Sequence, residues 1–186
     1  VLGQETLGGV RLRVPGSHNV TNALGAIGAA TALEIDWPSI AEGLDRFCGV
    51  GRRFEVLLDR DDVTVVSDYA HHPTEVICTI DAARAGAKGR VVAVFQPHLY
   101  SRTRDFADKF SQALSKADFV WVTDIYPARE TPSRGITSRT VVDGVSVSVN
   151  YEPSLETLPG RVADTTESGD TIPVSYTHLR AHETEA

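Results

Sequence analysis

The sequence predicts an α/β protein on a doubly wound, mostly parallel sheet, and three observations carry that expectation. Beyond residue 52, short β-branched and aromatic runs alternate with amphipathic stretches of helical period. The runs at 91–95 and 119–123 are continuously apolar, as in strands covered on both faces. Several of these elements end in loops crowded with ionisable groups, where open α/β sheets hold ligands.

In chain order, the alternation from Thr6 to Val14, ending at Pro15, predicts a short strand with no partner in view. After the turn Pro15-Gly16-Ser17, residues 19–33 predict an Ala-rich helix with Val20, Ala23, Leu24, Ile27 and Ala30 on one face. Trp37-Pro38-Ser39 starts a second helix with Ile40, Leu44 and Phe47 inward, and Cys48-Gly49-Val50-Gly51 ends it. The pattern then changes, placing a domain boundary in 48–52. Runs at 54–58 and 63–67, joined by Asp59-Arg60-Asp61-Asp62, predict a hairpin. A helix over 73–85, with Pro73 in its first turn, leads to the buried strand at 91–95. Residues 101–117 predict a helix with Phe106, Phe110 and Leu114 on one face, followed by the strand at 119–123. A helical turn at 138–143, a strand at 145–149 and a helix at 154–163 complete the alternation. From Pro173 onward the sequence is polar and patternless, and it resembles translated adapter or fusion sequence rather than fold. A natural divergent tail is the alternative; His178 and His182 within it are given no functional weight. The expected division is therefore 1–48, 49–172 and a non-native tail 173–186.

Composition narrows the function. Hydrophobic residues at 41% and charged residues at 23% are ordinary for a globular domain and exclude disorder or a fibrous repeat. A net charge of −7 speaks against nucleic acid as a partner, because phosphate backbones require clustered Lys and Arg. No apolar run approaches the roughly 18 residues of a membrane span, and no basic segment followed by an apolar one opens the chain. Cys48 and Cys78 lie far from any metal or disulfide spacing and are expected to be buried structural thiols, which fits a reduced, cytosolic setting. The first residue is Val, compatible with a chain that starts within a longer gene.

Four clusters concentrate polar chemistry at element ends. In His18-Asn19-Val20-Thr21-Asn22 the amides of Asn19 and Asn22 are three apart and could meet a purine edge. N-capping by Ser17, His18 or Asn19 is the reading the local sequence favours. Gly51-Arg52-Arg53-Phe54-Glu55 sets two guanidiniums at the domain junction, able to clamp a phosphate or simply to sit on the surface. Asp68-Tyr69-Ala70-His71-His72-Pro73-Thr74-Glu75 places more ionisable groups on one strand-to-helix loop than packing needs, although the histidines could instead cap the helix. Zinc is disfavoured there, because adjacent histidines seldom reach one ion and no third ligand stands at motif spacing. Gln96-Pro97-His98-Leu99-Tyr100-Ser101-Arg102-Thr103-Arg104 makes the next strand end cationic and suited to a carboxylate; a solvated helix start capped by Ser101 is the alternative. The loop from Asp124 through Tyr126 and Glu130 to Ser138 is long enough to form a lip over the same edge.

In this order the clusters resemble the Mur ligase family, and DYAHHP together with QPH.YSRTRD resembles its L-alanine-adding branch. The likeness runs from about Arg13 to Ile172. It implies a Rossmann-like C-terminal domain preceded by the helical end of a truncated central ATPase domain. It also implies a reaction in which ATP with Mg²⁺ activates the carboxylate of UDP-N-acetylmuramate as an acyl phosphate, which the amine of L-alanine then attacks. By motif position Asn19 and Asn22 would hold adenine, Arg53 the ATP phosphates, and Asp68 the ribose. Tyr69, His71, His98 and Arg102 would line the L-alanine pocket, with Arg102 on the carboxylate and His71 and Arg53 as catalytic groups. The family's GT.GKT phosphate loop and magnesium ligands do not occur in this sequence, so the chain is expected to be inactive alone. Leu99 stands where many relatives carry Arg, and the Gly-Ala-Gly-Asp loop expected after Ile172 is missing, which would remove a final strand or sheet edge. A related murein tripeptide ligase and a non-catalytic nucleotide-binding module are the alternative readings.

Overall fold

In the computed structural model, which describes residues 6–60 and 62–176, two helices come first: α1 (Ser17–Ala32) and α2 (Trp37–Arg46). Asp36 starts α2 by accepting the Ser39 N–H at 3.1 Å, with Pro38 in the first turn where its missing N–H costs nothing. An antiparallel hairpin follows, β1 (Glu55–Arg60) and β2 (Val63–Asp68), irregular in register between Val56 and Leu58. The chain then alternates: α3 (Pro73–Gly86), β3 (Val92–Phe95), α4 (Tyr100–Leu114), β4 (Phe119–Val122), α5 (Arg139–Val142), β5 (Ser148–Tyr151), α6 (Leu158–Thr165) and β6 (Thr171–Ser175).

The strands form one sheet in the order β1-β2-β6-β3-β4-β5, parallel in every pair except the hairpin. The α/β, doubly wound, mostly parallel architecture expected from the sequence is therefore the one observed. Alternate residues of each strand feed opposite faces. Ala93, Phe95, Val120 and Val122 pack under α3, α4 and α5 through Val76, Ile80, Phe110, Leu114 and Val141. Val92, Val94, Trp121 and Ile172 pack under Leu158 of α6. The crossover from β2 through α3 leaves one position open beside β2, and β6 fills it last, paired with β2 (Val65↔Ile172) and with β3 (Val94↔Val174). All parallel strands thus end at one edge, where Tyr69, His98 and Tyr126 follow.

Several expectations are corrected. Residues 6–14 form no strand, because they meet no ladder partner among the described residues. On α1 only Ala23 is buried, while Val20 and Leu24 are 53% and 61% exposed; the apolar stripe is present but largely open. Phe47 is likewise exposed, as is Cys48; Cys78 is half-buried and both thiols are free. The strand expected at 145–149 lies at Ser148–Tyr151, because Val145 and Val147 turn into the core from the loop before it. The last helix starts at Leu158, four residues later than its periodicity suggested, since Ser154 is spent on a turn capping Glu156 and Thr157. The sheet runs on past the boundary expected at Ile172. Pro173, Val174 and Ser175 are strand residues at the centre of the sheet, so no strand is lost there. The remaining tail residues 177–186, with His178 and His182, lie outside the described residues.

Candidate functional site

The hinge between the helices and the sheet is held in an uncommon backbone conformation. Arg52 (φ 61°) and Phe54 (φ 50°) both adopt left-handed values that side chains disfavour. Hydrogen bonds from the end of β2 hold them: Tyr69 N–H donates to Arg52 O at 2.7 Å, and Phe54 N–H donates to Asp68 Oδ2 at 3.0 Å. Burial pushes the Asp68 carboxyl above the usual range, opposed by the Phe54 N–H, the Thr79 hydroxyl and the Arg53 charge. Asp68 thus fixes the turn that presents Arg53.

Arg53, Asp68, Asn19 and Asn22 line one cleft of about 620 Å³ between the helical segment and α3, with apolar walls that include Val14 and Phe47. Residues scattered over fifty positions of sequence are therefore neighbours. The local capping reading of the first cluster does not hold, since α1 has no side-chain cap. Asn19 Nδ2 instead donates backward to Pro15 O at 2.6 Å, and Asn22 Nδ2 donates to Asn19 Oδ1 at 3.5 Å.

A second group stands on the adjoining strand ends. The rings of Tyr69 and His71 are 5.1 Å apart, those of His71 and His98 6.3 Å, and His98 stacks on Tyr126 at 5.7 Å. Arg102 Nη1 lies 3.1 Å from His98 Nδ1. A guanidinium can only donate, so His98 accepts on Nδ1 and carries its proton on Nε2. His71 has the opposite arrangement: its Nδ1 is 2.8 Å from Tyr69 O, which can only accept, so the proton is on Nδ1. The guanidinium of Arg53, 5.8 Å from the Tyr69 ring centre, joins this row to the cleft.

Of the alternatives weighed for these loops, His72 does cap a helix: its Nδ1 accepts the Thr74 N–H at 3.3 Å. Ser101 does not cap α4; its N–H donates to Glu130 at 3.0 Å and its hydroxyl to the same carboxylate. With Leu99 N–H on Tyr126 O and Tyr126 N–H on Pro97 O, these bonds fasten the 124–138 loop over the strand edge. Arg104 turns outward to Asp105 and is separate from the row. Sequence reasoning named Glu75 and Tyr126 within their loops but gave neither a role; Glu75 lines the cleft and reaches both His71 and Arg53, and Tyr126 stacks on His98. The spacing of His72 to Glu75 was the available signal, a capping box with histidine in place of Ser or Thr. Among the described residues no group of three His, Cys, Asp or Glu could hold a metal ion, and no helix is long and apolar enough to cross a membrane.

Comparison with known proteins identifies the family. The chain is 48% identical over 167 residues to a UDP-N-acetylmuramate--L-alanine ligase of Mycolicibacterium vanbaalenii, covering 88% of this chain and 35% of that protein. It is 44% identical to the protein of that name from Salinibacter ruber, covering 90% of this chain and 36% of the relative. The chain thus spans about a third of the length of these curated relatives. The crystal structure of UDP-N-acetylmuramate-alanine ligase MurC from Thermotoga maritima superposes with a TM-score of 0.75 at 27% identity, over 91% of this chain and 36% of that one. Residues 52–175 match the family described as Mur ligase, glutamate ligase domain, and the chain belongs to the Mur ligase family.

Proposed function

We propose that this chain forms the amino-acid-binding part of an ATP-dependent cytoplasmic ligase that joins L-alanine to UDP-N-acetylmuramate in peptidoglycan synthesis. The observation that carries this reading is the unbroken row Tyr69, His71, His98 and Arg102 beside a cleft that holds Asn19, Asn22, Arg53 and Asp68. The names of its relatives support the choice of substrates.

A nucleotide fits the cleft on chemical grounds. Its apolar wall suits a purine face, Asn22 keeps an amide oxygen for the base edge, and Arg53 offers a permanent charge to phosphate oxygens. The Asp68 carboxylate retains acceptor capacity beyond the Phe54 N–H, enough for a ribose hydroxyl. ATP supplies activation of the muramyl carboxylate as an acyl phosphate. Mg²⁺ would be held largely by the ATP phosphates, because this ion takes few protein ligands.

On the amino-acid side, Arg102 and the Nε2–H of His98 are donors for the L-alanine carboxylate. Tyr69 supplies an aromatic wall for the small side chain, and Tyr126 fixes the His98 ring plane. Fixed donors of this kind position the attack without reorganising during it. The test is a chimera in which this chain replaces the matching third of the Mycolicibacterium vanbaalenii enzyme. There Arg102→Ala should raise the KM for L-alanine about thirtyfold, from the roughly 2 kcal/mol of a lost charged hydrogen bond, with little change in the KM for ATP. Equal effects on both substrates would reject the assignment.

A further inference from the structure

Glu75 touches both halves of the site, pairing with Arg53 in the cleft and with His71 in the row. Its Oε2 accepts the backbone N–H of His71 at 2.9 Å and of His72 at 3.1 Å, and lies 3.5 Å from His71 Nδ1. Its Oε1 lies 3.7 Å from Arg53 Nη1. A capping box accounts for the backbone contacts, but not for the additional ion pair with the hinge arginine or for the approach to the imidazole. Burial alone would raise the Glu75 carboxyl; the His71 N–H, the His71 ring whenever it is protonated, the His72 N–H and the Arg53 charge outweigh it and keep the group below its ordinary range.

We infer that Glu75 is a positioning residue that couples the nucleotide cleft to the amino-acid row, holding Arg53 over the one while presenting the Nε2 lone pair of His71 to the other. This rests on the ligase reading above. With Nδ1 protonated against Tyr69 O, the acceptor nitrogen of His71 is Nε2, which has no hydrogen-bond partner among the described residues. An amino acid arrives as the ammonium, which has no lone pair for attack. One ammonium N–H bond breaks, its electron pair stays on nitrogen as the nucleophile, and the proton bonds to His71 Nε2. The positive charge created on the ring sits beside the Glu75 carboxylate, which favours it. Arg53, drawn by phosphate, competes for the same carboxylate, so each side of the site reports on the other. Among the described residues, Tyr69 and His98 also face His71, and His98 is held by Arg102 and Tyr126.

The experiment uses the full chain labelled with ¹⁵N. Imidazole correlation spectra should show His71 protonated on Nδ1 with Nε2 bare. Glu75→Gln keeps an oxygen for the His71 and His72 N–H groups, so the fold persists, yet it should move both the His71 ring nitrogens and the Arg53 Nε–H. Glu167→Gln, which alters a partner of Arg90 near the opposite strand ends, should move neither. Should the Gln variant not fold, Arg53→Gln serves in its place and must shift the His71 ring through Glu75. A wild-type His71 protonated on Nε2, or variants that move only the capping amides, would overturn the inference. Titration with ATP and with L-alanine separates the two levels. Silence to both ligands with the Glu75 effects intact would reject the ligase reading and leave the coupling standing.

Discussion

Ending the chain after Ile172 or after Tyr176 should give two very different proteins, although the versions differ by only four residues. Three of them, Pro173 to Ser175, complete β6, which sits between β2 and β3 in the middle of the sheet. Removing them strips partners from Val66, Ser67 and Asp68 on one side and from Val94 and Phe95 on the other. Two of the lost hydrogen bonds are Gln96 N–H to Ser175 O at 3.0 Å and Tyr176 N–H to Asp68 O at 3.2 Å. Each buried backbone group left unpaired costs about 1–3 kcal/mol. With Val66, Phe95 and Ser67 all at most 2% exposed, water reaches these groups only by opening the sheet. Even two or three such groups, added to the lost packing of Val174 on Trp121 and Ile172, amount to about 5 kcal/mol, comparable to the whole stability of many domains. At about 2–4 °C per kcal/mol for a chain of this size, the shorter version should melt at least 10 °C lower or fail to fold. Thermal unfolding followed by far-ultraviolet circular dichroism decides it. Equal melting temperatures would refute the placement of β6 and return the domain boundary to Ile172.

Two further outcomes follow from the structure. Asp170, whose side chain is 1% exposed, takes a bidentate pair from Arg90 at 3.0 and 2.7 Å and the Glu167 N–H at 2.8 Å. Burial alone would raise its carboxyl, but these partners hold it below the ordinary value, so its contribution is complete above the unfolded-state pKa of about 3.9 and is lost as pH falls through the folded-state value. Asp170→Asn should therefore lower urea stability at pH 7 by about 2–3 kcal/mol and narrow the gap to wild type below pH 4; a difference independent of pH would contradict this. The purified chain should show no magnesium-dependent ATP hydrolysis in a coupled phosphate assay, because its sequence contains no Gly-rich loop ending in Gly-Lys-Thr. Turnover by the pure chain would require a different catalytic centre.

Much of the fold was legible because its signals are local. Continuous apolar runs gave β3 and β4, Pro73 gave the start of α3, and the alternation of element types gave the parallel sheet. The site loops were legible for a related reason: DYAHH and QPHLYSR place charge where a buried sheet has no use for it. The errors fell where a segment's state depends on what lies beside it. Thr6 to Val14 alternates like a strand but meets no ladder, and Pro173-Val174-Ser175 reads as tail yet pairs between β2 and β3.

By itself, the sequence determined the architecture, the family resemblance and the residue types at each strand end, since periodicity and motif are properties of neighbours along the chain. Only the tertiary structure decided that Asn19, Asn22, Arg53 and Asp68 share one cleft, that His71 and His98 carry their protons on opposite nitrogens, and that Glu75 links the two sides. Those facts depend on which acceptor each nitrogen meets and on how the crossovers bring distant loops to one edge, and neither is a function of spacing.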